Sequence, residues 1–397
     1  MTVTPGTERA EEDVVPSVAE PARRWGITDL PDFPWDTLAG AKDVAAAHSG
    51  GIVDLSIGTP VDPTPAVVQD ALRANADAPG YPAAIGTPQL RDAVAAFLVR
   101  SVGSVPLGRE HVLPSIGSKE LVAWLPTLLG LGSGDTVVVP ELAYPTYAVG
   151  AALPGCRLAV TDIPHRPGTF GPDERPAMLW LNSPANPHGR IAGVDELTEI
   201  VAWARENGVL VVSDECYQMF GWRGRPVSVL DHRVNGGELG GLLALHSLSK
   251  RSNLAGYRAG FAAGDPDVVA ALVAVRKHVG MLVPSPVQAA MIAALGDDEH
   301  VQVQAHRYRA RRELLMPALR AAGFRIDHSD GGLYLWATRG ENCRTTVETL
   351  ARLGILVAPG DFYGRAGAEH VRVALTGTDE RIAAAADRLA ASGRTAG

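Results

Sequence analysis

Lys250 has the clearest chemical setting of any residue in this sequence. It follows the apolar run 242–245 through His246-Ser247-Leu248-Ser249, and it precedes Arg251-Ser252-Asn253-Leu254-Ala255-Gly256-Tyr257-Arg258. A lysine at a strand end is ordinarily a solvated surface residue. Here Ser247, Ser249 and Arg258 add two hydroxyl donors and a planar guanidinium fork, a set suited to a phosphate dianion. An amine held beside a phosphate and an aldehyde can form a Schiff base. Asp214 follows a second apolar run, 209–212, within Ser213-Asp214-Glu215-Cys216-Tyr217. A carboxylate at the end of a buried strand is costly unless paired. It reads either as a helix cap or structural ion pair, or as the partner of a protonated pyridine nitrogen. The run 178–181 ends in Asn182-Ser183-Pro184-Ala185-Asn186-Pro187-His188-Gly189. Asn186 and Tyr217 are placed to reach a ring oxygen. Each signal is weak alone; the Asn-Pro-x-Gly turn, the Asp-x-x-Tyr strand end and the Ser-x-Ser-Lys strand end are strong together.

The elements that must position these residues are also legible. Runs 136–139, 178–181, 209–212 and 242–245 are near-continuous in apolar residues, as strands covered on both faces should be. Between them lie amphipathic helices. Residues 88–100 align Leu90, Val94, Phe97 and Leu98, with Pro88 fit for a first helical position. Residues 196–207 align Leu197, Ile200, Val201 and Ala204 and stop at Gly208. This alternation predicts an α/β fold, a mostly parallel sheet with helices on both faces, in which ligands bind beyond the carboxyl ends of the strands. From about residue 290 the pattern changes. A long charged helix, 306–321, leads to alternating segments 332–337 and 370–374, which predict a smaller α+β domain. The expected division is a disordered tail at 1–24, an N-terminal part of the small domain at 25–54, a large domain at 55–289 and the rest of the small domain at 290–397.

A chain of 397 residues is long enough for two domains, and 46% hydrophobic residues is an ordinary globular value. The net charge of −8, from 36 basic and 44 acidic residues, does not favour nucleic-acid binding. Cys156, Cys216 and Cys343 are widely spaced and form neither a metal-ligand pattern nor a disulfide framework. The eleven histidines lack metal-ligand spacing, so no metal is assigned. No apolar run approaches the roughly 18 residues a membrane span needs, and the polar N-terminus has no apolar core. A cytoplasmic protein with no membrane partner is expected.

The segments LNSPANPHG, VVSDECY, HSLSKRSNLAGYRAG and GYPAAIGTPQLR resemble those of fold-type I, pyridoxal-phosphate-dependent aminotransferases of the class I/II branch. The resemblance runs from about residue 35 to the C-terminus. It implies that Lys250 tethers pyridoxal phosphate, that Asp214 meets the pyridine nitrogen, and that Tyr217 and Asn186 hold the phenolic oxygen. Ser247, Ser249 and Arg258 match phosphate ligands. Gly117-Ser118-Lys119 matches a phosphate-binding turn at a helix start. Tyr144 matches the aromatic that stacks on the ring, and Tyr81 matches a tyrosine sent to the phosphate by the second subunit of a homodimer. Gly58 matches a backbone contact to substrate. Arg372 matches the arginine that clamps the substrate's α-carboxylate, a task for a planar bidentate donor. Cys216 and His188 depart from the commonest pattern, and neither is expected to touch an essential cofactor contact.

The implied reaction is ping-pong amino transfer between amino acids and 2-oxo acids, with Lys250 also moving the proton. A lyase or acyl transferase of the same fold, or a regulator with an aminotransferase-like ligand domain, would share these residues. The match at Arg372 and the absence of insertions favour transamination. The roughly 35 residues before the match carry no DNA-binding pattern. The phrases LPDFPWDTL, IVDLSIGTPVDPTP, GYPAAIGTP, SDECYQMFGW and LHSLSKRSNLAGYRAGF look like actinobacterial succinyldiaminopimelate transaminases of lysine biosynthesis. An aspartate or aromatic aminotransferase is the alternative. A distal acid on the substrate would need further donors, for which Arg190, Arg223 and Arg225 are candidates.

Overall fold

The computed structural model describes residues 30, 33–171, 174 and 176–395. The tail expected at 1–24 lies outside them. The strands, in chain order, are β1 (Val53–Asp54), β2 (Val112–Ser115), β3 (Thr136–Val139), β4 (Arg157–Val160), β5 (Pro176–Asn182), β6 (Leu210–Asp214) and β7 (Leu242–Ser247). There follow β8 (Gly260–Gly264), β9 (Arg325–Asp327), β10 (Tyr334–Thr338), β11 (Ile355–Leu356), β12 (Ala358–Pro359) and β13 (His370–Ala374).

Seven strands form the large sheet in the order β2-β8-β7-β6-β5-β3-β4. Only β8 runs against its neighbours. Alternate side chains of each strand point to opposite faces. Val138, Leu179, Val211 and Ala244 therefore enter one apolar core, and Val137, Met178, Val212 and Leu245 enter another. Helices cover both. Helix Pro88–Val102 supplies Leu90, Val94, Phe97 and Leu98 to the first core, and helix Ser118–Leu128 supplies Leu121, Val122 and Leu125 to the second. Helix Val194–Asn207 stops where Gly208 turns left-handed.

A four-stranded antiparallel sheet, β12-β13-β10-β9, carries a third core with the helices Glu299–Ala321, Cys343–Arg352 and Asp379–Thr395. Leu38, Val53 and Leu55 join that core from the N-terminal side. Residue 290 falls inside helix Ser285–Gly296, whose Ala290, Met291, Ala294 and Leu295 pack with the large sheet. We propose the division between the two layers just after that helix. The buried side chain of Arg311, on helix Glu299–Ala321, pairs with Asp62 at 2.6 Å and with Asp379 at 2.7 Å. This pins the segment that carries Gly58 against the second layer.

Candidate active site

The register of the large sheet assembles the floor of the site. Asn182 pairs with Asp214, and Asp214 with Leu245, while β7 continues two residues to Ser247. The carboxyl ends of β5, β6 and β7 thus lie side by side, and a cavity of about 550 Å³ opens over them. Ser247 caps the one-turn helix Leu248–Arg251 by accepting the Ser249 N–H at 3.1 Å. That turn leaves Lys250 half-buried in the cavity, while Arg251 points the other way and donates to the Ala294 carbonyl at 2.6 Å.

Asp214 is buried. Its Oδ2 accepts from the Tyr147 hydroxyl at 2.9 Å and its Oδ1 from the Cys216 N–H at 3.2 Å, and neither oxygen makes a salt bridge among the described residues. Tyr147 is held by stacking on Trp180, 4.7 Å away and 13° from parallel. Burial pushes the Asp214 carboxyl above its usual range, against those hydrogen bonds and the charge of Lys250. A buried carboxylate lining that cavity suits a protonated ring nitrogen.

Asn182 braces the next strand end. Its Nδ2 donates to the Asp214 carbonyl at 2.8 Å, and its Oδ1 accepts the Asn186 N–H at 2.7 Å. The Asn186 Oδ1 accepts from Arg372 Nη1 at 3.1 Å. The Tyr217 and Tyr334 hydroxyls are 3.0 Å apart, and burial pushes the Tyr217 phenol well above its usual range.

Across the cavity, Gly117 (φ 89°) precedes helix Ser118–Leu128, and a Cβ there would overlap the guanidinium of Arg258. A helix N-terminus, the Ser118 hydroxyl and an arginine fork converge there, a donor set that fits a phosphate. Tyr144 lines the same cavity and meets Tyr147 edge-on at 5.8 Å. Ser249 lines it too. Lys119 is exposed and lies 5.6 Å over the Phe33 ring.

The second layer closes the site. Buried Arg372 donates from Nη2 to the Ser56 carbonyl at 2.6 Å, and its guanidinium lies over the rings of Tyr334 and Tyr363, at 4.0 and 5.1 Å. Its buried Nε has no hydrogen-bond partner among the described residues. Gly58 lines the cavity so close to the Tyr334 hydroxyl that a Cβ would overlap it.

The structure therefore brings Lys250, Asp214, Tyr217, Asn186, Ser118, Lys119, Tyr144, Ser247, Ser249, Arg258, Gly58 and Arg372 around one cavity. Tyr81 is not among them; it is fully exposed on the surface of the chain. The Arg190, Arg223 and Arg225 side chains do not line the cavity either. Arg190 pairs with Glu196 at 2.6 Å, Arg223 sits 3.5 Å from Asp330, and Arg225 donates to the Ser101 carbonyl. Cys216 departs from the expectation in part. It lines the cavity and its thiol donates to the Ser118 hydroxyl at 3.2 Å, while burial raises its pKa and keeps it a thiol. His188 is outside the cavity, its pKa depressed to about 3 by burial and by His328 beside it. Sequence reasoning missed Tyr147, Asn182, Tyr334, Phe33 and Trp35. Of these, only Asn182, a polar residue ending an apolar run, carried a local signal.

Residues 51–389 match the model of the aminotransferase class I and II family. The chain belongs to that family. Its members use pyridoxal phosphate, and the donor set above fits that group. The chain is 62% identical to a probable aminotransferase of Mycobacterium tuberculosis, over 94% of this chain and 88% of the relative. It is 58% identical to a 4-dedimethylamino-4-oxo-anhydrotetracycline transaminase of Streptomyces rimosus, over 91% and 100%. A solved structure of a probable N-succinyldiaminopimelate aminotransferase from Thermus thermophilus superimposes with a TM-score of 0.82 at 28% identity, covering 91% of this chain and 100% of that one. The chain is thus a pyridoxal-phosphate-dependent aminotransferase acting between amino acids and oxo acids. No helix among the described residues is long and apolar enough to cross a membrane.

Proposed function

We propose that this aminotransferase exchanges an amino group between the glutamate/2-oxoglutarate pair and N-succinyl-LL-2,6-diaminopimelate with its oxo counterpart, in lysine and diaminopimelate biosynthesis. The observation that carries the reading is Arg372. A buried, planar cation lines the same cavity as Lys250. That is the donor an α-carboxylate needs, and both substrates carry one. The diaminopimelate side is supported by the sequence phrases quoted above and by the Thermus thermophilus neighbour's name.

In this reading, Asp214 holds the pyridine nitrogen's proton, Asn186 and Tyr217 donate to the phenolic oxygen, and Tyr144 covers one ring face. Ser118, Lys119, Ser247, Ser249 and Arg258 hold the phosphate. Gly58 lets the backbone approach the substrate, and Arg372 orients it. Bound pyridoxal phosphate supplies an exchangeable aldehyde and a ring that accepts an electron pair. The Lys250 amine takes the proton from the substrate's α-carbon and returns it later, so one residue serves as tether and base. The exposure of Tyr81 supports a symmetric homodimer in which this side chain completes the neighbouring site. We also infer a cytoplasmic setting.

A second reading has its own support. A relative named for a tetracyclic oxo substrate and a large apolar groove beside the site, about 980 Å³, together suit a bulky ketone. A half-reaction screen separates the readings. The enzyme is loaded with cofactor and conversion is followed by absorbance with N-succinyl-diaminopimelate, glutamate, aspartate, phenylalanine and a polycyclic amine. The succinylated donor is expected to exceed aspartate and phenylalanine by at least about a hundredfold in kcat/KM, roughly 2.7 kcal/mol. Equal turnover of aspartate or phenylalanine would remove the lysine-pathway reading, and preference for the polycyclic amine would put the second reading in its place.

A further inference from the structure

We propose that the apolar groove beside the active cavity is a subsite for the distal arm of the substrate, and that Arg365 on its rim pairs with an anion at the far end of that arm. The proposal rests on the aminotransferase reading of the neighbouring cavity and goes beyond it by naming what lies past the α-carbon.

Two cavities share a wall. Phe33, Trp35, Lys119 and Tyr144 line both the active cavity and the groove. The groove, at about 980 Å³, is the larger of the two and lies at the top of the usual ligand-site range of roughly 300–1,000 Å³. One side is the edge of the large sheet, where Leu158 and Val160 on β4 are exposed. The other side is aromatic. Phe33 lies 5.5 Å from Trp35, and Trp35 lies 5.2 Å from Phe362. An aliphatic chain running across such a surface removes apolar area from water on both.

The charged groups of the groove give the arm its end. Lys119, Arg365, Glu141 and Asp361 line it. Asp361 is engaged by Arg344 at 2.7 Å. That leaves Glu141 against two cations, neither of which makes a salt bridge among the described residues. Lys119 stands at the shared wall, beside the proposed phosphate site, so Arg365 is the cation free to serve the groove.

Arg365 is also geometrically tied to the α-carboxylate clamp. Arg372 stacks over Tyr363 at 5.1 Å, and the Tyr363 carbonyl accepts the Ala143 N–H at 2.8 Å. Arg365 follows two residues later, at the start of a 3-10 turn. One short loop therefore contacts the residue that reads the near carboxylate and carries the residue that would read the far one. The chemistry this selects is an α-amino acid with an aliphatic or acyl-extended arm ending in a carboxylate.

The test uses the cofactor-loaded full chain and a length series of donors: glutamate, 2-aminoadipate, 2-aminopimelate and 2-aminosuberate, with neutral 2-aminooctanoate as the uncharged control. The kcat/KM is expected to rise along the diacid series. Arg365→Leu should lower the 2-aminosuberate value about tenfold or more, through KM, and leave glutamate and 2-aminooctanoate within about twofold. Val160→Trp, which fills the groove from an exposed position, should weaken both eight-carbon donors and spare glutamate. Equal effects on all donors, or none, overturn the proposal. So does a change of oligomeric state by sedimentation in either variant, which would make the groove a subunit interface. N-succinyl-diaminopimelate is assayed alongside. If it is inert while the long diacids behave as stated, the lysine-pathway reading fails and the subsite stands. If no long diacid reacts while glutamate does, the subsite fails and the aminotransferase assignment is untouched.

Discussion

The floor and the roof of the active cavity are built in different ways. On the floor, Asp214 and Ser247 end β6 and β7, Asn186 and Lys250 lie just beyond β5 and β7, and the hydrogen-bonded register of these adjacent strands aligns their ends. The roof is assembled from chain segments far apart in sequence. Phe33 and Trp35 come from the N-terminal side, Tyr334 from β10 and Arg372 from β13. A sheet end is stiff, because each strand is held by both neighbours. The roof belongs to a separate core and touches the floor through a few contacts, such as Arg372 to Asn186. The floor suits chemistry common to every substrate, and the roof suits choosing among them.

The largest difference between the two should appear on the floor. Asp214→Ala is expected to slow α-proton removal by roughly 10²–10³, about 3–4 kcal/mol, equally for every donor, in single-turnover absorbance measurements. A fall of less than about tenfold would make Asp214 a structural cap instead. On the roof, Arg372→Lys should act mainly through binding. KM for glutamate and for the second donor should both rise about tenfold or more, since an ammonium cannot make two parallel hydrogen bonds, with a smaller change in kcat. A loss confined to kcat would move Arg372 into the chemistry of the floor.

The smallest effect lies under the floor. Glu215 is buried next to Asp214, with His246 3.4 Å away, and burial raises its carboxyl to about 7. The folded state therefore keeps this proton over a range where the unfolded chain has released it. Stability should fall as pH climbs from the ordinary value near 4.5 towards 7, then level off. His246, depressed to about 3 by burial, acts on the acid side, where stability is lost as pH drops below about 6.5. Glu215→Gln should flatten the first limb and leave the second. Urea midpoints at pH 5 and pH 7.5 measure it, and an unchanged difference between them would mean that Glu215 ionises without cost in the fold.

The same contrast decides what could be read from the sequence. The runs that became β3, β5, β6 and β7 are dense in Val and Leu, and the polar residues just after three of them stand together in the cavity. β8 was not legible, because Gly260 and Gly264 weaken a strand signal that the neighbouring strands override. Helix Pro88–Val102 outran its expected end by two residues and stopped where Gly103 turns left-handed. Tyr147 and Tyr334 have no local mark of function. Each is a buried aromatic whose hydroxyl finds its partner through tertiary packing, 67 and 117 residues away in the chain. Nothing but residue type marks Arg190, Arg223 and Arg225 as readers of a distal acid, and each has its partner outside the cavity. The rim of the groove, where Arg365 stands, exists only once both layers are folded.

Lys250 tests the central claim most directly. Lys250→Ala, loaded with cofactor and mixed with glutamate, removes the tether and the proton carrier together while leaving Asp214, Arg258 and the rest of the floor in place. Cofactor should still bind, more weakly, and multiple turnover should fall by at least ~10⁴. Sustained turnover near the wild-type rate would contradict the assignment of the floor.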